Sequence, residues 1–417
     1  MKVSLFEQAA YRSFPSDFEH RYDSVVTTPY ADLVERGHMY DSLRWYIDEL
    51  LHGARLGFDG VAVSEHGQCS YDMVPNPSLP AAVLANAIRS EGLDTALVMV
   101  GKSLGKTREP LRVAEEYAVL DHMSGGRLVA GFPMGLSYDA NINQGIPAVE
   151  TRERFLEAQE LVLKAWTSEE PFAWNGKYSQ YAVVNPWPRP IQQPHPPIWI
   201  PGSGTPSTMS RTLQDGHAFA YLSLFGPTLT AKRIFGRFWE LAEKLEKPPN
   251  PYRVAFVQSV AVAETDERAE KEYGPHLEQA FRQCYGSIPA QFLALPGYIS
   301  RAGVEGLIRD PGDLGVADRL RHITFKELLD AQCVIVGSPA TVRDRIAAFV
   351  KEFRIGNLLV LLHQGAMPHE LVLKNIDLFA EAVLPGLQGI WEDEGWEHHW
   401  WPTGMEARAP ADEAVGV

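Results

Sequence analysis

The stretch that decides the fold is Leu56–Gly67, which has the sequence LGFDGVAVSEHG. It reads as the end of a helix, a glycine-containing turn, a short strand at 61–63 and then the charged pair Glu65 and His66. The strand is wholly apolar and β-branched at both ends, which is typical of a parallel strand buried on both faces. In a parallel α/β fold, the pair would follow the carboxyl end of the strand, where active sites form.

Two interpretations of this pair are open at this point. A histidine can take up or release a proton near neutral pH, so His66 is a candidate for proton transfer, with Glu65 beside it. In the other interpretation, Glu65 merely orients a structural histidine inside a loop. The choice depends on what the rest of the chain places at the same end of the strands.

The composition is that of an acidic globular protein. The chain has 417 residues, of which 45% are hydrophobic and 22% charged, and these are ordinary values for a soluble protein. Its net charge of -15 argues against nucleic acid and anionic membranes as partners, because both require basic surfaces. We find no apolar run of about 18 residues and no signal-peptide core at the amino terminus. Three widely spaced cysteines predict neither a disulfide framework nor a Cys-x-x-Cys site, so we expect a cytoplasmic protein.

Strand and helix patterns alternate along the chain. Stripes of apolar residues with helical spacing, such as the one at 39–56, separate short apolar runs. Eight such runs in alternation with helices favour one (β/α)8 TIM-like barrel over a doubly wound sheet. The predicted strands are at 2–6, 61–63, 95–100, 128–132, 198–200, 217–224, 253–263 and 358–362.

We predict a single barrel domain over 1–385, followed by a Trp-rich C-terminal extension with a mobile tail over 386–417. A long, aromatic-rich loop at 7–38 separates the first strand from the first long helix, and loops of this length in compact proteins are usually functional. Residues 285–332 lack a clear pattern. We interpret them as an insertion, or lid, after the seventh strand–helix unit.

A glycine-rich segment follows the fifth predicted strand and precedes a helix. Glycines let the backbone approach a ligand, and hydroxyl groups with the free amides of a helix start suit a phosphate. The segment matches neither a Walker sequence nor a dinucleotide fingerprint, and a plain capped helix start is the alternative. A phosphate site there would lie at the carboxyl-end face of the barrel. The candidate residues are Gly202, Ser203, Gly204, Thr205, Ser207 and Thr208.

The sequence predicts no metal site. Zinc or iron needs about three converging ligands, whereas His398 and His399 stand in the Trp-rich tail and His363 is a single histidine at a strand end. Cys69 follows His66 by three residues, but nothing shows a third group that would orient a Cys-His dyad. A metal-dependent barrel hydrolase would need a ligand cluster that the sequence does not show.

Several motifs, in order along nearly the whole chain, resemble the luciferase-like flavin monooxygenases of the bacterial luciferase superfamily. The runs Leu-Asp-x-x-Ser-x-Gly-Arg at 120–127 and Gln-x-Pro-His-Pro-Pro at 192–197 make the resemblance specific. The other matching parts are 57–60 followed by Glu65-His66, Gly131-x-x-x-Gly135, the helix start at 152–157, the prolines at 186–190, Gly202-Ser203, Leu378-Phe379 and 383–385.

The resemblance implies a barrel that binds reduced FMN delivered by a separate NAD(P)H-dependent flavin reductase. In this family O2 adds to the flavin, and the resulting peroxyflavin oxidises a small or medium organic substrate. A homodimer is also implied. Two alternatives stay open, namely an F420-dependent hydride-transfer oxidoreductase of the same fold and a flavin-binding or partner-binding protein without catalysis.

The resemblance also assigns roles at the proposed active site. His66 matches the pocket histidine of the family, with Glu65 beside it, and Gly67 stands where many members have a second histidine. The phosphate-binding loop of the family matches 204–208. We expect His66 to hydrogen-bond a flavin-bound oxygen species or to act as its general acid or base.

Two further flavin contacts are implied by the resemblance. The flavin-facing bend after the third strand, often a non-proline cis peptide in the family, matches Ala96 and Leu97. The flavin-contacting residue after the fourth strand matches Met134, where bacterial luciferase has an arginine. Both contacts would place the flavin ring in a largely apolar slot that keeps out bulk water.

Overall fold

The computed structural model describes residues 1–222, 228–293, 295, 297–298 and 320–404. The predicted lid at 285–332 therefore falls partly outside the described residues. The predicted mobile tail also lies outside them from residue 405 onward.

Eight parallel strands close into a barrel. Each barrel strand pairs with its neighbour in the order β1-β2-β3-β4-β7-β8-β9-β11, and β11 pairs again with β1. All eight coincide with predicted strands, so the prediction of a (β/α)8 barrel is confirmed. The strands of the described chain are β1 Lys2–Phe6, β2 Gly60–Val63, β3 Ala96–Met99, β4 Leu128–Gly131, β5 Phe172–Asn175, β6 Gln180–Val184, β7 Ile198–Pro201, β8 Ala218–Tyr221, β9 Val254–Val262, β10 Val334–Gly337 and β11 Asn357–Leu361.

Helices follow the barrel strands and start where the sequence offers capping groups. Ser338 accepts a hydrogen bond from the amide of Thr341, and Thr265 accepts one from the amide of Arg268, so a side chain caps the start of each of these two helices. None of the described helices is long and apolar enough to cross a membrane. The longer helices are Arg36–Arg55, Ser78–Ser90, Pro110–Met123, Thr151–Thr167, Pro206–Gln214, Thr228–Lys244, Asp266–Ala280, Pro339–Phe353 and His369–Ala382.

Strand β10 was not predicted. It pairs in parallel with the second half of β9, from Val334 opposite Ser259 to Gly337 opposite Val262, while the first half of β9 pairs with β8. Because β9 is nine residues long, it extends past the barrel wall and offers a free edge to a ninth strand. The short apolar run of β10 directly follows the segment at 285–332, which we interpret as an insertion, so it lies outside the strand–helix alternation that marks the barrel strands.

The described part of the C-terminal extension lies under the amino-terminal ends of the strands. The indole N–H of Trp199 donates to the carbonyl of Trp400, and the indole N–H of Trp400 donates to the carbonyl of Gly216. A Cβ atom on Gly60 would lie 3.1 Å from the Trp401 ring. The extension therefore packs against the barrel end opposite the carboxyl ends of the strands. The domain boundary at 385 and the insertion at 285–332 stay predictions.

Candidate functional site

The loops after β2, β3 and β4 are joined by short hydrogen bonds at the carboxyl face of the barrel. The backbone N–H of Ser103 donates to Glu65 Oε2 over 2.6 Å, and the Ser103 hydroxyl donates to the carbonyl of Met134 over 2.7 Å. Gly101 lies so close to this junction that a Cβ atom would stand 2.6 Å from the backbone nitrogen of Glu65. Three consecutive loops thus form one rigid rim.

His66 is anchored in this rim by Asp139, a residue that was not among the predicted site residues. His66 Nδ1 lies 2.8 Å from Asp139 Oδ2, and the backbone N–H of Gly67 donates to Asp139 Oδ1 over 3.0 Å. The Tyr138 hydroxyl lies 3.0 Å from the same His66 nitrogen. Since a carboxylate can only accept, Nδ1 carries the proton that is shared with Asp139.

Four groups of alternating charge lie in a row here, namely Glu65, Lys106, Asp139 and His66. Lys106 Nζ lies 3.6 Å from Glu65 Oε2 and 3.8 Å from Asp139 Oδ1. Burial disfavours the imidazolium, but the charge of Asp139 and its hydrogen bond outweigh burial and raise the pKa of His66. Burial likewise opposes ionisation of Asp139, yet the charges of His66 and Lys106 lower its pKa.

Aromatic side chains form a wall beside His66. The hydroxyls of Tyr71 and Tyr138 share a short hydrogen bond, and the Tyr71 ring packs edge-on against Tyr285 at 6.1 Å between centroids. The Tyr285 hydroxyl donates to Gln8 Oε1 over 2.6 Å, just after β1. Burial raises the pKa of all three phenols well above the usual value, so they act as neutral hydrogen-bonding groups.

The predicted phosphate loop lies after β7, at the same face of the barrel as His66. Gly204 adopts a φ of +84, which favours glycine, and the Thr205 hydroxyl donates to that of Thr208 over 2.8 Å. Pro206 begins the following helix, so the N–H groups of its first turn have no carbonyl of the helix to which they can donate. The loop thus offers hydroxyl and amide donors at an exposed rim. Its role in cofactor binding stays a prediction.

Met134 follows β4 at the carboxyl face, where the sequence placed it. Its carbonyl is fixed by Ser103, and the next residue, Gly135, has a φ of +102. A Cβ atom on Gly135 would lie 2.1 Å from the Ser103 hydroxyl, so only glycine fits this turn. The Met134 side chain is half-buried against the apolar core. Its contact with flavin stays a prediction.

The prediction of a bend at Ala96 and Leu97 is wrong. Both residues begin β3 and pair with Gly60 and Val61, so they lie at the amino-terminal end of the barrel. The cis peptide bonds of the described chain precede Pro188 and Pro194, not Leu97. The error has a simple cause, because β3 only enters the barrel at Ala96 and its carboxyl end, Met99, lies three residues further along.

A second buried cluster lies behind the site, between the barrel wall and the outer helices. Ligand-type atoms of Glu7, Glu49 and His363 lie within 4.8 Å of one another. Glu49 accepts hydrogen bonds from both terminal nitrogens of Arg12, one of them over 2.6 Å. Glu49 Oε1 also lies 2.7 Å from His369 Nδ1. Since Arg12 already balances Glu49, a dication would add uncompensated charge to a buried set. The absence of a bound metal stays a prediction.

The remaining candidates have structural roles in the described chain. The Cys69 thiol donates to the carbonyl of Asp72, and burial raises its pKa well above the usual value, which is opposite to what a nucleophilic thiolate requires. Burial lowers the pKa of His363 to about 3, and this ring bonds the carbonyl of Gly365 over 2.8 Å. His398 packs on the ring of Tyr252 at the opposite end of the barrel.

The family of the chain follows from comparison with known proteins. The model of the luciferase-like monooxygenase family matches residues 27–354. The chain therefore belongs to the luciferase-like monooxygenases, and the resemblance found in the sequence is confirmed.

Two relatives of known activity are monooxygenases. The oxygenase component of the flavin-dependent trigonelline monooxygenase of Acinetobacter baylyi is 26% identical over 219 residues, which cover 52% of this chain and 58% of that protein. The chain thus matches little more than half the length of this relative. The 3,6-diketocamphane 1,6-monooxygenase of Pseudomonas putida is 24% identical over 374 residues, covering 82% of this chain and 92% of that protein.

Solved structures share the fold at low sequence identity. The oxygenating constituent of 3,6-diketocamphane monooxygenase from Pseudomonas putida, solved with FMN, superposes with a TM-score of 0.68 at 20% identity, covering 92% of this chain and 98% of that chain. An F420-dependent secondary alcohol dehydrogenase superposes with a TM-score of 0.63 at 17% identity, covering 93% of this chain and 98% of that chain. The fold alone therefore does not choose between the two cofactors.

Proposed function

We propose that this protein is the oxygenase component of a two-component monooxygenase that uses reduced FMN and O2 to oxidise a small or medium organic substrate. The observation that carries the proposal is the anchored His66 at the carboxyl end of β2, in a chain of the luciferase-like monooxygenase family. Bound reduced FMN would supply two electrons, so that one oxygen atom enters the product and the other leaves as water.

The residues at the carboxyl face fit FMN. The hydroxyls of Ser203, Thr205, Ser207 and Thr208 and the first amides of the following helix provide donors for the phosphate. Met134, half-buried beside the rim, offers apolar surface to a flavin ring. His66, at 18% side-chain exposure, holds a proton close to the position where oxygen chemistry would take place.

The test compares the two cofactors directly. We expect anaerobic titration to show binding of reduced FMN, and admission of O2 with a panel of ketones, terpenoids and N-heterocycles to yield an oxygenated product. Incorporation of label from ¹⁸O₂ identifies the product as that of a monooxygenase. Anaerobic hydride transfer to F420 from an alcohol, without FMN-dependent oxygenation, would instead establish the F420 alternative.

The phosphate loop provides a prediction about affinity. In the variant Ser207→Ala, we expect the dissociation constant for reduced FMN to rise about 10- to 100-fold, because one hydrogen bond to a charged group contributes roughly 1.5–3 kcal/mol. Reduced riboflavin lacks the phosphate, so its binding should change little. Equal losses for both flavins would show that the loop does not hold the phosphate.

The proposal includes a separate NAD(P)H-dependent flavin reductase and a homodimer in the cytoplasm. Two packed helices expose apolar side chains, namely Tyr40 and Leu43 on one and Leu79 and Val83 on the other, with Leu79 68% exposed. An apolar face of this kind is typical of a protein contact. We expect light scattering to give twice the chain mass of 46.4 kDa, and the variant Leu79→Glu to give the monomer mass.

A further inference from the structure

Asp139 is the one carboxylate of the described chain that contacts the ring of His66 directly, and it is itself 2% exposed. It comes from the segment after β4, whereas His66 follows β2 and Lys106 follows β3. Its two oxygens divide their contacts, since Oδ2 meets His66 Nδ1 and Oδ1 meets the Gly67 N–H and Lys106 Nζ. A carboxylate held from three sides has little freedom to turn away.

This arrangement leaves the other ring nitrogen of His66 available. Nδ1 is engaged by Asp139 and Tyr138, while Nε2 has no hydrogen-bond partner among the described residues. The rings of Tyr71 and Tyr138 pack against the imidazole ring, at centroid distances of 5.2 Å and 6.2 Å. Nε2 is therefore the nitrogen that a ligand would meet.

We propose that Asp139 is a positioning residue which fixes the Nδ1–H form of His66 and stabilises the imidazolium through direct contact, so that His66 serves as a proton donor through Nε2. Lys106 limits this effect, because its ammonium group lies against the same carboxylate. The identity of the reaction rests on the proposed function, but the protonation state of His66 does not.

Removal of the two charges has effects of opposite sign. Without the carboxylate of Asp139, burial and Lys106 both act against the imidazolium, so the pKa of His66 falls. Without the ammonium of Lys106, burial alone opposes the attraction of Asp139, so the pKa of His66 rises. A role in packing alone would not produce two opposite shifts. The titratable and charged groups that face His66 are Glu65, Cys69, Tyr71, Asp72, Lys106, Tyr138 and Asp139, with Tyr285 behind Tyr71.

The test is a titration of the full-length protein labelled with ¹³C at histidine Cε1, followed by NMR. The variant His66→Gln identifies the His66 signal among 13 histidines. We expect the His66 midpoint to move to lower pH in Asp139→Asn and to higher pH in Lys106→Met. The control is Asp377→Asn, which removes the exposed partner of a different histidine, His52, at 2.5 Å and should leave the His66 midpoint unchanged.

The catalytic readout distinguishes this inference from the proposed function. If oxygenation occurs, the alkaline limb of its pH profile should move to lower pH in Asp139→Asn, in step with the NMR midpoint. Shifts of the NMR midpoints in a protein without oxygenase activity would support the inference and overturn the proposed function. Equal midpoints in the wild type and both variants would overturn the inference. If Asp139→Asn does not fold, the direction in which the His66 midpoint moves in Lys106→Met decides whether the inference holds.

Discussion

In the variant His66→Ala, we expect formation of the oxygenated product to fall about 10²- to 10⁴-fold, which is the usual contribution of a positioned proton donor. Reduced FMN should still bind, since the predicted phosphate donors lie after β7 and not in the loop of His66. Consumption of O2 should continue with release of hydrogen peroxide, because the reduced flavin reacts with O2 without transferring oxygen to the substrate.

The measurement is the ratio of product to O2 consumed, together with the hydrogen peroxide formed. A matched control is His52→Ala, which removes a half-buried histidine that pairs with Asp377 on the outer helices. We expect this control to keep the wild-type ratio. An unchanged ratio in His66→Ala would remove His66 from proton transfer, even if the flavin bound as predicted.

The second large effect concerns stability. In the variant Arg12→Met, we expect the free energy of unfolding at pH 7 to fall by about 3–5 kcal/mol, the usual cost of breaking a buried ion pair by removing one partner. Arg12 and Glu49 have 3% and 0% exposed side chains, so water cannot replace the lost contact. Burial opposes ionisation of Glu49, but His369 and Arg12 hold its pKa below the usual value, and the contribution of Arg12 disappears in the variant.

Glu7 provides the matched comparison within the same cluster. Burial and the neighbouring Glu49 raise the pKa of Glu7 well above its usual value, so the folded protein favours the protonated carboxyl. Protonation of Glu7 contributes its full stabilisation below the pKa of this carboxyl in the unfolded chain, about 4.5. The contribution is lost as the pH rises through the higher pKa of the folded protein. We therefore expect Glu7→Gln to gain stability relative to the wild type between pH 5 and pH 8.

Urea unfolding at pH 5, pH 7 and pH 8 measures the free energy of unfolding of the two variants. Arg12→Met should be destabilised at pH 7, while the difference between Glu7→Gln and the wild type should grow in favour of the variant at higher pH. A loss of several kcal/mol in Glu7→Gln at pH 8 would mean that Glu7 is ionised and paired, and would revive the possibility of a cation at this cluster.

Local sequence patterns predicted most of the fold but not all of it. Each barrel strand is a short apolar run between helices, and burial on both faces produces that pattern without reference to distant residues. Strand β10 was not predicted because its position depends on pairing with the extended edge of β9. The assignment of Ala96 and Leu97 failed for the related reason that strand ends, which decide what faces the site, are set by pairing with neighbours.

The barrel, the position of Glu65 and His66 after β2, and the loop at 202–208 after β7 could be predicted from local patterns, because they depend on strand order and direction alone. The way His66 is held could not, because it depends on contacts between distant parts of the chain. Asp139 stands 73 residues away in the chain, and no spacing rule joins it to His66 or to Lys106. Charge contacts between these loops follow from the pairing of β2 with β3 and of β3 with β4, which brings the ends of the three strands side by side.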